Sequence, residues 1–184
     1  MNGLQSPGTV CAITLALAGL IGMPAAAQQP AASAAKPVPI QTALAGDVGT
    51  MSEKFVGLAR VMAGKYDWRP GQGVRSVGEV LNLIVNENRM LAGLLGAPAG
   101  GEGGKPAPIA DPALMQETLK STYATLQKAV GSMSDADLNA GVRMFGRDMT
   151  KEGAVLMLLF DQHEHLGQSI AYARMNSVVP PWSK

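Results

Sequence analysis

Apolar residues recur at spacings of three and four in separate stretches, and no stretch alternates with the period of two that a half-buried strand requires. Leu44, Val48, Met51, Phe55, Leu58 and Met62 form the first such stripe, ended at Gly64. Ser76 and Glu79 match a capping box, and Val80, Leu81, Ile84, Asn88, Leu91 and Leu95 continue a second helix to Gly96. Asp111-Pro112 supplies a cap and a proline at the first helical position of a third helix. Its inner face is Met115, Leu119, Thr122, Leu126 and Val130, and Gly131 closes it. Ser134 to Leu138 reads as a short turn, followed by an irregular piece around Arg143-Met144-Phe145-Gly146. Thr150 caps a fourth helix from Lys151 to about Met175, and Pro180-Pro181 forbids its continuation. The expectation is an all-α four-helix bundle.

Residues 96–110 hold five glycines and three prolines, so no element is expected there. Nine methionines between Met51 and Met175 are spread through the helices, which suits core filling and not a cluster of sulfur ligands.

The amino terminus reads as an export signal. Residues 1–27 lack Lys, Arg, Asp and Glu. Val10 to Ile21 is an apolar run, shorter than the roughly 20 residues a membrane-spanning helix needs. Pro24 ends the run, and Ala25-Ala26-Ala27 offers the small residues of a cleavage site. An uncleaved anchor is the competing reading. Residues 28–43, rich in Ala, Pro and Gln, read as a flexible tether, and residues 44–184 as the domain. Cys11 lies within the signal, so cleavage leaves a thiol-free chain suited to a periplasmic or secreted location. A net charge of +1 gives no sign of a nucleic-acid partner, and removal of the signal leaves no membrane span.

Both histidines lie in Asp161-Gln162-His163-Glu164-His165. Residues i and i+2 of a helix point about 200° apart, so His163 and His165 cannot chelate one ion. Asp161 and His165, four apart, share a face with Ala154, Leu158 and Tyr172, which reads as an inward stripe. The pair is either a structural carboxylate–imidazole contact or part of a metal site whose third ligand comes from another helix. The second helix offers Asn82, Asn86 or Glu87. Nucleotide, phosphate-loop and nucleophile-elbow motifs are missing from the sequence.

Lys65-Tyr66-Asp67-Trp68-Arg69-Pro70, Val74 to Leu81, Glu164-His165-Leu166-Gly167-Gln168 and Tyr172-Ala173-Arg174-Met175-Asn176 before Pro180-Pro181 together resemble the DinB-like (DinB/YfiT) superfamily. The resemblance covers about residues 44–184. It implies an up-down-down-up bundle with a long crossover between the second and third helices. It also implies a divalent ion, zinc or nickel, held by three histidines. By position these fall on Leu83, Asp161 and His165, of which only His165 matches. The resulting expectation is an exported bundle with a lost or weakened metal site, a small-molecule-binding or structural module for which no cofactor is expected. The alternative is a divalent-metal-dependent hydrolase or transferase using Asp161 and His165 with Asn86 or Glu87. Whether the chain is an enzyme stays open at this point.

Overall fold

The computed structural model of the chain describes residues 38–98 and 106–183. The expected signal at 1–27 and most of the tether lie outside them. Helix α1 spans Ile40–Val61, α2 Val77–Leu94, α3 Pro112–Gly131, α4 Asp135–Asn139 and α5 Lys151–Met175. Strands β1 (Gly141–Met144) and β2 (Arg147–Thr150) form an antiparallel hairpin ahead of α5. None of these helices is long and apolar enough to cross a membrane.

The caps act as their chemistry requires. The Ser76 hydroxyl accepts from Glu79 N–H, and the Glu79 carboxylate accepts from Ser76 N–H at 2.6 Å. Asp111 accepts from Leu114 N–H at 2.7 Å, and Thr150 accepts from Gly153 N–H at 3.1 Å. Helix α1 starts at Ile40, four residues before the expected start of the domain at Leu44. Its first turn, Ile40 to Ala43, buries no side chain, so apolar periodicity begins only at Leu44.

Cross-helix contacts give the helix directions. Gln127 on α3 donates to the Ala45 carbonyl near the start of α1, while Tyr123 stacks on Phe55 further along, so these helices are antiparallel. Asn82 bonds Ile109 just before α3, and Asn88 donates to Thr122, so α2 and α3 run parallel. Arg75 meets Tyr172, and Asn88 meets Gln162, so α2 and α5 are antiparallel. The arrangement is up-down-down-up. Two parallel helices in succession need a connection that returns the length of α2, about 27 Å at 1.5 Å per residue, and the sequence between Leu94 and Pro112 is long enough for it.

The core is aliphatic and methionine-rich: Met51, Met62, Met115, Leu81, Ile84, Leu119, Leu126 and Leu158 are essentially inaccessible. Gly78 permits the closest loop contact. A β-carbon there would meet the Tyr66 carbonyl oxygen at 3.2 Å.

The hairpin corrects the expectation of an irregular piece. Phe145 and Gly146 both have positive φ, 49° and 75°, as a two-residue turn matched to strand twist requires. Arg143 and Asp148 pair across it at 3.0 Å, and Met144 anchors it in the core.

Candidate functional site

The expected inward stripe of α5 holds at Ala154, Leu158, His165 and Tyr172 and fails at Asp161. Gln162, not Asp161, is the fully buried residue of this turn, and the Asp161 side chain is 47 % exposed. His165 is mostly covered, with 16 % of its side chain accessible. His163 faces outward and pairs with Asp47 of α1 at 2.9 Å.

Gln162 anchors a buried polar chain. Its carbonyl accepts from the Tyr123 hydroxyl at 2.9 Å, and its amide donates to Asn88 Oδ1 at 2.8 Å. The Asn88 amide donates to Thr122 Oγ1, which donates to the Thr118 carbonyl. Burial raises the Tyr123 phenol well above its ordinary range, which keeps it a donor. Sequence periodicity put Asn88 on the inner face of α2 but gave no sign of the partners that satisfy it.

One residue before Asn88 and one before Gln162, α2 and α5 present Glu87 and Asp161. Glu87, Asp161 and His165 each offer one ligand atom, and these atoms lie within 4.8 Å of one another. His165 Nε2 is 3.5 Å from Asp161 Oδ2. Ligand atoms bonded to one tetrahedral ion at about 2.1 Å stand about 3.4 Å apart. Glu87 is 8 % exposed, and its Oε2 has no hydrogen-bond partner among the described residues. Burial foremost, then the facing Asp161 carboxylate, push the Glu87 carboxyl up to about 8 against the opposing influence of Gln162 and Arg75. Two ionised carboxylates cannot donate to each other, so a proton or a cation is needed between them.

The imidazole is fixed by a relay that ends on the backbone. Tyr172 donates to the Arg75 carbonyl at 3.1 Å, and a carbonyl can only accept. The Tyr172 oxygen therefore accepts from Gln168 Nε2 at 2.8 Å, which leaves Gln168 Oε1 to accept from His165 Nδ1–H at 2.9 Å. The proton sits on Nδ1, and in the neutral ring the Nε2 lone pair faces Asp161. An Nδ1–H anchored to a carbonyl is the usual support of a metal-ligating histidine. Trp68, half-buried, packs edge-on against Tyr172 at 5.4 Å and holds the relay from outside.

Of the residues named from sequence, Asp161 and His165 come together, and Glu87 joins them. Leu83, at the family's third position, is half-buried one turn earlier on α2, beside Asn82 and Asn86 in a surface groove. Asn82 is spent on structure, bonding both the N–H and the carbonyl of Ile109. The donor set fits a divalent cation: one neutral imidazole nitrogen, one half-exposed carboxylate and one buried carboxyl oxygen with no other partner.

The family model described as DinB superfamily matches residues 53–169. A DinB-like protein from Bacillus cereus has a similar structure, with TM-score 0.66 and 17% identity over 77% of this chain and 95% of its own. A DinB-like protein from Bacillus subtilis is similar at TM-score 0.59 and 14% identity, over 73% and 92% of the respective chains. No curated protein matches in sequence.

Proposed function

Because the chain belongs to the DinB superfamily, we propose that it binds a divalent cation through Glu87, Asp161 and His165 and uses it for hydrolysis or group transfer on a small molecule. The observation that carries this reading is the convergence within 4.8 Å of one ligand atom each from Glu87, Asp161 and His165, with Glu87 buried and its Oε2 unpartnered among the described residues. A buried polar atom left unpaired costs about 1–3 kcal/mol, which a ligand there would offset. Two carboxylates and one imidazole suit zinc or manganese better than a soft ion.

Such an ion supplies Lewis acidity at the positions its three protein ligands leave open. The chain's own residues set the stage for it. Gln168 holds the His165 proton on Nδ1, so Nε2 is free to bind. Asp161, half exposed, is the most solvent-accessible of the three. Glu87 holds a proton near neutral pH without the ion and must release it to bind. The apolar run Val10 to Ile21 with Ala25-Ala26-Ala27 supports placing this work in the periplasm or outside the cell.

Protein purified without chelator should carry about one ion per chain by elemental analysis, and Glu87→Gln should lose it. Chain without stoichiometric metal that also fails to take up zinc or manganese in calorimetry would leave a metal-free binding or structural module.

A further inference from the structure

A groove of about 560 Å³ runs along α2 on the face that carries Glu79, Asn82, Leu83 and Asn86. This volume suits a small molecule. Two of its lining residues adjoin the ligand residues: Leu83 lies one helical turn before Glu87 on the same side of α2, and Arg75 lies near enough for its charge to act on the Glu87 carboxyl.

Most polar groups along the groove are already committed. Arg69 pairs with Glu79 at 3.3 Å and donates to the Val74 carbonyl. Asn82 is held at both ends by Ile109. Two groups have no side-chain partner among the described residues: the Arg75 guanidinium and the Asn86 amide. Between them lie the apolar surfaces of Leu83 and Val74. One free cation, one free amide and an apolar floor match a ligand with a carboxylate on an apolar body.

The backbone of Arg75 is fixed in place. Its carbonyl accepts from Tyr172, the last member of the relay that orients His165. The backbone that carries the guanidinium is thus tied to the imidazole. Its charge is felt at the Glu87 carboxyl, which it draws down.

We propose that this groove is the substrate site and takes a small carboxylate-bearing molecule, with Arg75 on the carboxylate and Leu83 under the apolar body. The ligand's other end reaches Glu87, Asp161 and His165. The inference rests on the metal reading for what happens at that end, and not for the recognition of the carboxylate.

Full-length protein is titrated with zinc, then with phenylacetate and, separately, with its neutral isostere phenylacetamide. The acid should bind about tenfold tighter than the amide, the margin of a charge-assisted hydrogen bond pair. Arg75→Gln should erase the preference. It should leave melting temperature and zinc stoichiometry unchanged, because Tyr172 is held by the backbone of residue 75. Leu83→Asp should weaken both ligands. Equal binding of acid and amide, no binding of phenylacetate, or a preference that survives Arg75→Gln overturns the groove assignment while a zinc-binding parent leaves the metal reading standing. A parent that takes no zinc overturns the metal reading instead, and the acid–amide comparison on that chain judges the groove alone.

Discussion

Residues 87 and 88 of α2 face residues 161 and 162 of α5, and the two adjacent pairs have opposite fates. Asn88 and Gln162 are both fully buried, and each polar atom of their amides has a partner on a third helix or across the pair. Glu87 and Asp161, one position away on the same helices, are two carboxyl groups that can face each other only with a proton or a cation between them. Burying polar groups is tolerable when every bond is made and costly when it is not. The satisfied pair sets the spacing and rotation of the two helices. The acidic pair is held in that spacing with Glu87 Oε2 unpartnered among the described residues and a proton between the carboxyls that a cation can replace.

The largest effect should come from breaking the satisfied side. Gln162→Leu strands the Tyr123 hydroxyl and Asn88 Oδ1, and urea denaturation should show a loss of about 3 kcal/mol. Next is the relay. Gln168→Leu frees the imidazole to adopt the wrong tautomer, and ion affinity measured by calorimetry should fall about 10- to 100-fold with little change in unfolding. Glu87→Gln should behave unlike Gln162→Leu. Its amide can donate to Asp161 as the protonated Glu87 does, so the ion-free fold should keep its stability to within about 1 kcal/mol while losing its response to zinc. A loss of stability there would mean that Glu87 is a structural residue like its neighbour.

The smallest effect concerns carboxylates of the opposite character. Glu79 is held below its ordinary range chiefly by the Ser76 N–H, and Asp137 by the Ser134 hydroxyl and N–H. A folded-state value below the unfolded one means that the contribution is present above the unfolded pKa and is lost as pH falls through the folded value. Melting temperatures at pH 7 and pH 3 should therefore differ less in Glu79→Gln/Asp137→Asn than in the parent.

Much of this bundle was legible in local chemistry. The caps at Ser76, Asp111 and Thr150 and the stops at Gly64, Gly96 and Gly131 bracket the helices because capping and chain reversal depend on nearest neighbours. On α5 the inward stripe at Ala154, Leu158 and Tyr172 was legible, but the burial of Gln162 beside a half-exposed Asp161 was not, because apolar pattern gives no place to an amide satisfied by other helices. The hairpin was hidden as well, because strands of four residues with one buried side chain carry no alternation. Glu87 was among three second-helix candidates that spacing could not separate. What singles it out is the approach of α2 to α5, fixed by Asn88 and Gln162 across 74 residues of chain.

Crystals of the full-length protein soaked in manganese, with data collected for anomalous scattering, test the site most directly. One strong anomalous peak is expected about 2.0–2.2 Å from a Glu87 carboxylate oxygen, an Asp161 carboxylate oxygen and His165 Nε2. A map with no peak among these three atoms, in crystals where Glu87 and Asp161 keep their positions, would contradict the assignment and make the cluster a proton-sharing structural pair beside a histidine.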